Sequence, residues 1–335
     1  LGGLGALAWG IGSTEGEHVL ATKTLAVRKP KRMRICFEGQ LPPRVYAKDL
    51  ILHLISRFGA SGGAGYAIEF AGSTIRALPV EARLTLCNMA VEFGAWTGIV
   101  APDELTFEYV RGRPFAPRAD QWDQAVAHWR TLVSDPDASF DKDLEVDCRE
   151  LAPQVTWGTS PQHGGGIDGV VPDPAAEADP NRRQSAERAL QYMGLTPGTP
   201  LAGLPIGAAF IGSCTNSRLS DLREAAGVLR GRHVAPGIKA ICVPGSSQVK
   251  KAAEAEGLDQ VFRDAGFEWR ESGCSMCFYA GGESFGLEER VVTSTNRNFE
   301  NRQGPRTRSH LASPATVAAS AVTGVLTDVR QLPAA

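Results

Sequence analysis

Short apolar runs alternate with longer stretches of helical periodicity along this chain. In the first half, the strand candidates are 34–37, 66–70 and 98–100, and the helix candidates are 50–58, 80–93 and 122–133. Apolar residues recur three or four positions apart in the helix candidates, whereas the strand candidates are short and bounded by polar turns. Strands that alternate with helices are typical of layered α/β folds. We therefore predict an α/β fold.

The last third of the chain continues the same alternation. An apolar run at 208–211 leads into a polar turn at 212–218, and a helical pattern follows at 219–229. Further candidates are strands at 241–243 and 267–270 and a helix at 249–257. In open α/β sheets, ligands bind at the carboxyl ends of the strands. The polar turn at 212–218 is therefore a predicted place for a site.

Composition divides the chain into four parts. Residues 160–205 are rich in Gly, Pro, Asp and Ala, which is typical of connecting segments, although 185–193 has a helical pattern. We predict a first part at 1–32, an α/β domain at 33–150, a linker region at 151–205 and a last α/β domain at 206–335. The glycine-rich start of the chain is interpreted as a tightly packed helix, because it lacks the basic leader of a signal peptide.

Composition and charge exclude several classes of protein. The chain has 335 residues, of which 43% are hydrophobic and 21% charged, and its net charge is −2. These values fit a globular protein with two or three domains, and no broad basic bias indicates a nucleic-acid partner. No apolar stretch is long enough to span a bilayer. The seven cysteines are irregularly spaced, which argues against an extracellular disulfide framework, so we expect a cytoplasmic protein.

Three cysteines lie in two short turns near the end of the chain. Cys214 follows the apolar run at 208–211, and Cys274 and Cys277 follow the strand candidate at 267–270. A Cys-x-x-Cys pair alone fits half a zinc site, a thiol redox pair or coincidence. Three thiols without an obvious fourth suit an iron–sulfur cluster with one iron open to a substrate.

Two alternatives compete with the cluster. One is a zinc site completed by a histidine such as His310, and the other is three unrelated cysteines. The remaining thiols are interpreted as small interior residues; these are Cys36, Cys87, Cys148 and Cys242.

Three ordered motifs identify a family. They are Ile-Gly-Ser-Cys-Thr-Asn-Ser at 211–217, Gly-Cys-Ser-Met-Cys at 273–277 and Ser-Thr-Asn-Arg-Asn-Phe-Glu at 294–300. With further matching blocks at 17–22, 86–89, 153–159 and 243–246, the chain resembles the aconitase family over nearly its whole length. The resemblance implies aconitase-like three-layer α/β/α domains, of which the first is incomplete, with residues 1–32 as its remnant.

The resemblance also implies the residues of the site. One [4Fe-4S] cluster would be held by three thiolates, those of Cys214, Cys274 and Cys277. Arg297 and Arg302 match the family's substrate-contacting arginines, and an arginine fork bonds both oxygens of a carboxylate. Glu92 matches a carboxylate that accepts or delivers a proton near the substrate. The amide side chains expected next to the cluster are Asn88, Asn216 and Asn296, and Asn88 would share a helix face with Glu92.

Within the family, the chain most resembles large subunits that work with a separate small subunit. That partner carries the proton-abstracting serine on a swivelling domain, which has no match here, so a hetero-oligomer is implied. The implied reaction moves a hydroxyl group on a small di-acid such as isopropylmalate by dehydration and rehydration. Homoaconitate or a methylmalate are alternative substrates, and an inactive iron–sulfur or zinc module is an alternative from another class.

The chain departs from the family pattern in four places. The Asp-Ser-His loop that precedes residue 1 in the family is absent, and we expect the chain to be a fragment. Phe278 and Tyr279 replace part of a polar run, and Pro305 interrupts a loop rich in Gly and Arg. Asn301 replaces a usual Gly, and Asn tolerates a positive φ best if that position requires one. These changes predict a chain that binds a cluster but turns over poorly.

Overall fold

The computed structural model describes residues 1–212 and 214–333, so Ser213 of the first cysteine motif lies outside the described residues. The chain forms two compact units. The first contains residues 1–40 and 61–148, and the second contains residues 41–60 and those from 149 onward.

The described residues form strands and helices that alternate along most of the chain. The strands are β1 (Lys31–Glu38), β2 (Tyr66–Ala71), β3 (Thr97–Ile99), β4 (Lys142–Asp147), β5 (Gln154–Thr156), β6 (Gly164–Gly166), β7 (Ala208–Gly212), β8 (Lys239–Val243), β9 (Glu268–Trp269), β10 (Arg290–Thr293) and β11 (Arg308–Leu311). The helices are α1 (Ser13–Thr22), α2 (Ala47–Phe58), α3 (Ser73–Ala77), α4 (Val80–Met89), α5 (Glu104–Val110), α6 (Asp120–Trp129), α7 (Pro180–Met193), α8 (Leu219–Leu229), α9 (Ser247–Ala255), α10 (Leu258–Ala265) and α11 (Pro314–Thr323).

A parallel sheet forms the centre of the first unit, with strand order β3-β2-β1-β4. Along β1, Met33, Ile35 and Phe37 are fully buried while the residues between them are partly exposed. This alternation places one face of the strand in the core, as expected from a side-chain period of two. The glycine-rich start of the chain contains a 3-10 turn at Gly2–Leu4, and not the longer helix that we predicted.

The helix predicted at 80–93 is shorter than expected. α4 ends at Met89, and the chain continues in tight turns, in which Glu92 N donates to Met89 O at 3.1 Å and Gly94 N to Val91 O at 2.9 Å. Gly94 has a φ of 88°, a conformation that other residues adopt only at a cost. Glu92 therefore lies beyond the helix, and the prediction that Asn88 and Glu92 share one helix face is wrong.

The second unit is built on a parallel sheet with strand order β11-β10-β7-β8-β9. All five residues of the central strand β7 are buried, because both faces of a central parallel strand are covered by helices. Its register pairs Phe210 with Ile241 on one side and with Thr293 on the other. Together with the first sheet, this arrangement confirms the predicted α/β fold.

Residues 151–205, predicted as a linker region, belong to the second unit and are folded. β5 and β6 form a small antiparallel pair, and α7 starts five residues before the predicted helix at 185–193. Asp179 caps α7 by accepting a hydrogen bond from Asn181 N at 2.8 Å, and Pro180 occupies the first helical position. Met193 packs in the same core as Ile211. The predicted division into four parts stays a prediction, since compact units are not necessarily family domains.

Among the described residues, no helix is both long enough and apolar enough to cross a membrane.

Candidate metal and substrate site

Cys214 lies directly after the buried strand β7, where the chain leaves the sheet. The residue is exposed, and the segment that carries it is fixed to the end of β8. Ser217 Oγ donates to Val243 O at 2.7 Å, and Ser217 O accepts from Gly245 N at 2.8 Å. α8 begins two residues later. The prediction that Cys214 lies between a buried strand and a helix is therefore confirmed.

Cys274 and Cys277 lie at the two ends of a short 3-10 turn that follows β9. Cys277 N donates to Cys274 O at 2.9 Å, and Cys274 is exposed whereas Cys277 is 6% exposed. Met276 packs with Phe210 of β7, and its carbonyl accepts a hydrogen bond from Gln303 Nε2 at 2.8 Å. Apolar packing and one buried amide therefore hold the turn against the sheet.

Arg302 lies beside the thiol of Cys277. Its Nη2 donates to Cys277 Sγ at 3.5 Å, and its guanidinium carbon lies 5.1 Å from the ring centroids of both Phe278 and Phe299. Its Nε is buried and has no hydrogen-bond partner among the described residues. Because a buried donor without an acceptor is unfavourable, this guanidinium is suited to receive an anionic ligand.

The segment after β10 carries Asn296 and Arg297. Ser294 anchors it, since its Oγ accepts from Gly212 N at 3.1 Å and donates to Asn216 O at 3.0 Å. Thr295 is buried, Asn296 is half-buried and Arg297 is exposed. The structure therefore presents this arginine to solvent from the carboxyl end of a strand next to β7.

The position of Asn301 requires a positive φ, the case in which an Asn was expected to be tolerated best. Its φ is 65°, in the left-handed region, where a Gly is free of strain and an Asn is tolerated better than most other residues. Its Oδ1 accepts a hydrogen bond from Arg306 N at 2.8 Å, and its own N–H donates to Tyr192 Oη at 2.8 Å. These hydrogen bonds hold the turn of the loop between Phe299 and Arg306.

Sequence reasoning missed Lys48 of α2, which is 1% exposed. Its Nζ donates to acceptors on both segments described above, including Asn216 Oδ1 at 3.2 Å. A signal for it exists in the sequence, because Lys48 lies three and seven positions before Ile51 and Ile55 and so belongs to the apolar face of the helix. A charged residue on that face is unusual unless it is paired.

Glu92 and Asn88 belong to the first unit, whereas Cys214, Cys274 and Cys277 belong to the second. Glu92 is 9% exposed and Asn88 is exposed. The roles predicted for these two residues, like those of Asn216, Asn296 and the two arginines, stay predictions.

The donor set fits an iron–sulfur cluster by its chemistry. Three thiols come from two segments of one parallel α/β unit, and the one at Cys277 already accepts a hydrogen bond from Arg302. Hydrogen bonds to sulfur are part of what tunes such clusters. Within residues 1–212 and 214–333, however, no group of three or more His, Cys, Asp or Glu side chains is close enough to hold a metal ion. The three cysteines thus belong to one unit, but among the described residues their thiols do not form a metal-binding group.

His310 does not complete a zinc site, because both ring nitrogens are hydrogen-bonded elsewhere. Nδ1 lies 2.6 Å from Thr156 O, and Nε2 lies 3.0 Å from Arg290 Nη1. A carbonyl can only accept and a guanidinium can only donate, so the ring is neutral with its hydrogen on Nδ1. Burial, and then the Arg290 charge, lower the pKa of His310 to about 3.

We expect His310 to make stability depend on pH. The unfolded ring titrates near its usual pKa of 6.5, whereas the buried ring stays neutral to about pH 3. The stabilising contribution is therefore complete above pH 6.5 and is lost as the pH falls towards 3, by about 1.4 kcal/mol per pH unit. Urea unfolding at pH 7, 6 and 5 should show the free-energy difference between wild type and His310→Gln shrinking as pH falls.

The difference in unfolding free energy between wild type and His310→Gln reports on the His310 ring alone. Burial also lowers the pKa of His163 to about 4 and raises that of Asp49 to about 7, but both groups are present in wild type and variant. A pH-independent difference for His310→Gln would contradict the assignment of a neutral buried ring.

The fold and the strand-end motifs together define a class of protein, and a family comparison identifies it. The chain belongs to the aconitase family, since the model of that family, described as aconitate hydratase, matches residues 1–324. The recognition made from the motifs is therefore confirmed, and so is the aconitase-like nature of the α/β fold.

Two named relatives match most of the chain. The 3-isopropylmalate dehydratase large subunit 1 of Bradyrhizobium diazoefficiens is 60% identical over 331 residues, which cover 99% of this chain and 69% of that protein. The 3-isopropylmalate dehydratase large subunit of Cupriavidus necator is 70% identical over 267 residues, which cover 80% of this chain and all of that protein. Thermococcus kodakaraensis aconitase X in its holo form aligns over 91% of this chain and 55% of its own, with 10% identity and a TM-score of 0.35, too low to support any argument.

Proposed function

We propose that this chain is the large, cluster-bearing subunit of a 3-isopropylmalate dehydratase. It would interconvert 2-isopropylmalate and 3-isopropylmalate through isopropylmaleate, a hydro-lyase reaction of leucine biosynthesis. The observation that carries the proposal is the 60% identity to a large subunit of that name over 99% of this chain. The strand-end positions of Cys214, Cys274, Cys277 and Arg297 support it.

The cofactor proposed is one [4Fe-4S] cluster, held by Cys214, Cys274 and Cys277. When bound, it supplies a Lewis-acidic iron that polarises a carbon–oxygen bond. Two of these thiols are exposed and accessible to an assembling cluster. The amides proposed to interact with it are those of Asn88, Asn216 and Asn296.

The chain's own residues would hold the substrate and move a proton. Isopropylmalate carries two carboxylates, and Arg297 and Arg302 offer planar donor forks for them. The buried, unpartnered Nε of Arg302 is suited to accept one such charge. Glu92 is the proposed acid–base residue for the hydroxyl oxygen.

The remaining parts of the reaction require a partner. The name "large subunit" of both relatives implies a small subunit, and we propose that this partner supplies the proton-abstracting serine and much of the pocket for the isopropyl group. The enzyme would then be a hetero-oligomer in which the present chain supplies the cluster ligands and the carboxylate-binding arginines.

The test is to purify the chain with the small subunit from the same source and reconstitute it anaerobically. We expect about four iron and four sulfide per chain and formation of isopropylmaleate from 3-isopropylmalate, which is followed by its absorbance. Homoaconitate, citrate and a methylmalate are offered in parallel assays. Preference for one of them would replace the substrate assignment, and a loaded complex without any hydration activity would contradict the enzyme proposal.

A further inference from the structure

Lys48 is a lysine whose ammonium group is removed from solvent and fully bonded. The residue is 1% exposed. Its Nζ donates to Ser294 O at 2.7 Å, to Thr295 O at 2.6 Å and to Asn216 Oδ1 at 3.2 Å. An ammonium group has three N–H donors, and the described residues offer three acceptors for them.

These acceptors belong to two segments that leave neighbouring strands. Asn216 follows β7 two residues after Cys214, and Ser294 and Thr295 follow β10 immediately before Asn296 and Arg297. Lys48 is 168 residues from the first acceptor and more than 240 from the others in sequence. The side chain of Lys48 therefore bonds both the segment that carries Cys214 and the segment that carries Arg297.

A buried carboxylate extends the network. Asn216 Nδ2 donates to Asp221 Oδ1 at 3.3 Å, while its Oδ1 accepts from Lys48. Asp221 is 9% exposed, and its other oxygen accepts from Arg218 N at 2.9 Å at the start of α8. The Asn216 amide is therefore oriented by a cation at its oxygen and an anion at its nitrogen.

Stability alone does not account for this arrangement. Burying a charged group carries a large desolvation cost, and an apolar residue of similar volume is often as stabilising or more so. A buried polar network with all members bonded instead fixes one geometry, because any shift leaves a charge or carbonyl unpaired. The network is thus suited to holding two loops in a single relative position.

We propose that Lys48 is a positioning residue that holds the segment after β7 and the segment after β10 in fixed register, so that Cys214 and Arg297 are presented at a constant separation. The purpose assigned to this register rests on the proposed function. The geometric part of the proposal does not, because it concerns the order of two loops in the chain itself.

The first test measures loop order by hydrogen exchange in the full chain. In Lys48→Met, amides at 214–217 and 294–297 should exchange at least about tenfold faster than in wild type, while β7 and β8 keep their protection. The matched control is Arg290→Met. Arg290 is a partly buried cation of β10 whose guanidinium bonds His310 and Met193 O, and its loss should not accelerate exchange selectively at those two segments.

Two further outcomes decide the proposal. Equal acceleration throughout the second unit in Lys48→Met would mean that the residue only stabilises the fold, and unchanged exchange at both segments would also overturn the proposal. If Lys48→Met does not fold, Lys48→Gln is measured in the same way, and its two amide N–H donors should leave the segments with intermediate protection.

The second test uses the reconstituted complex with its small subunit. Lys48→Met should lose iron roughly tenfold faster than wild type and show a kcat/KM at least about tenfold lower, whereas Arg290→Met should stay within about threefold on both measures. Lys48→Arg, which keeps the positive charge, should recover part of the loss. Wild-type iron retention in Lys48→Met would overturn the role at the site. If wild type itself holds no cluster, the proposed function fails, and hydrogen exchange still decides the role of Lys48.

Discussion

Cys274→Ser is expected to leave the chain folded but to reduce turnover of isopropylmalate by at least about a thousandfold. Loss of a group that only supports a metal ligand typically costs 10- to 100-fold in affinity or activity, so loss of the ligand itself should cost more. The residue is exposed, so exchange of sulfur for oxygen should alter the stability of the unloaded chain by less than about 0.5 kcal/mol. Iron and sulfide per chain, thermal unfolding and activity with the small subunit are measured together.

Control variants distinguish a cluster ligand from a general effect of losing a thiol. Cys36→Ser changes a half-buried thiol of β1 in the first unit and should keep wild-type iron content and activity. Cys214→Ser should behave as Cys274→Ser does. Wild-type iron and sulfide in either exposed-thiol variant would remove that cysteine from the proposed ligand set.

The strands and helices around the cysteines could be predicted from sequence because local signals agree there. The uninterrupted apolar run at 208–211 required burial on both faces, and the polar turn after it had no helical pattern until 219. The structure places β7 at 208–212 and α8 at 219–229. A cysteine that follows the end of a buried strand can therefore be recognised from residues that lie close together in the sequence.

Other features depend on contacts that a sequence pattern does not carry. The sequence places Lys48 on the apolar face of α2 but does not show what it bonds, since Ser294 and Thr295 supply its carbonyl acceptors from almost 250 residues later. The end of α4 at Met89 depends on turns whose hydrogen bonds compete with the helical pattern. The glycine-rich segment 160–205 was expected to be a linker, yet Val171 and Met193 within it are buried in the core of the second unit.

Arg302 illustrates a residue whose role the sequence indicated and whose environment only the structure reveals. The resemblance to the family points to it, but it does not show the contact to Cys277 Sγ at 3.5 Å or the rings of Phe278 and Phe299, whose centroids both lie 5.1 Å from the guanidinium carbon. Such contacts hold the guanidinium plane through cation–π attraction. Phe278 therefore contributes to how the arginine is held.

We expect Arg302→Met to lower kcat/KM for isopropylmalate by roughly 100- to 1,000-fold, since truncating one partner of a buried charge-assisted contact costs about 2–5 kcal/mol. Arg302→Lys should lose nearly as much, because an ammonium keeps the charge but not the planar fork. Arg188→Met is the control. Arg188 pairs with Glu300 at 2.9 Å in the same unit, but its side chain is 74% exposed, so kcat/KM should change by less than about threefold.

The iron content of the Arg302→Met variant distinguishes between two possible roles of Arg302. If Arg302→Met keeps the wild-type iron and sulfide while KM rises, the guanidinium binds a substrate carboxylate, as its buried and unpartnered Nε favours. If iron is lost in proportion to activity, the residue acts through its hydrogen bond to Cys277, and the carboxylate role is contradicted. The two roles make opposite predictions for Arg302→Lys, because a lysine that preserves a donor to sulfur would restore the cluster but would not restore bidentate binding of a carboxylate.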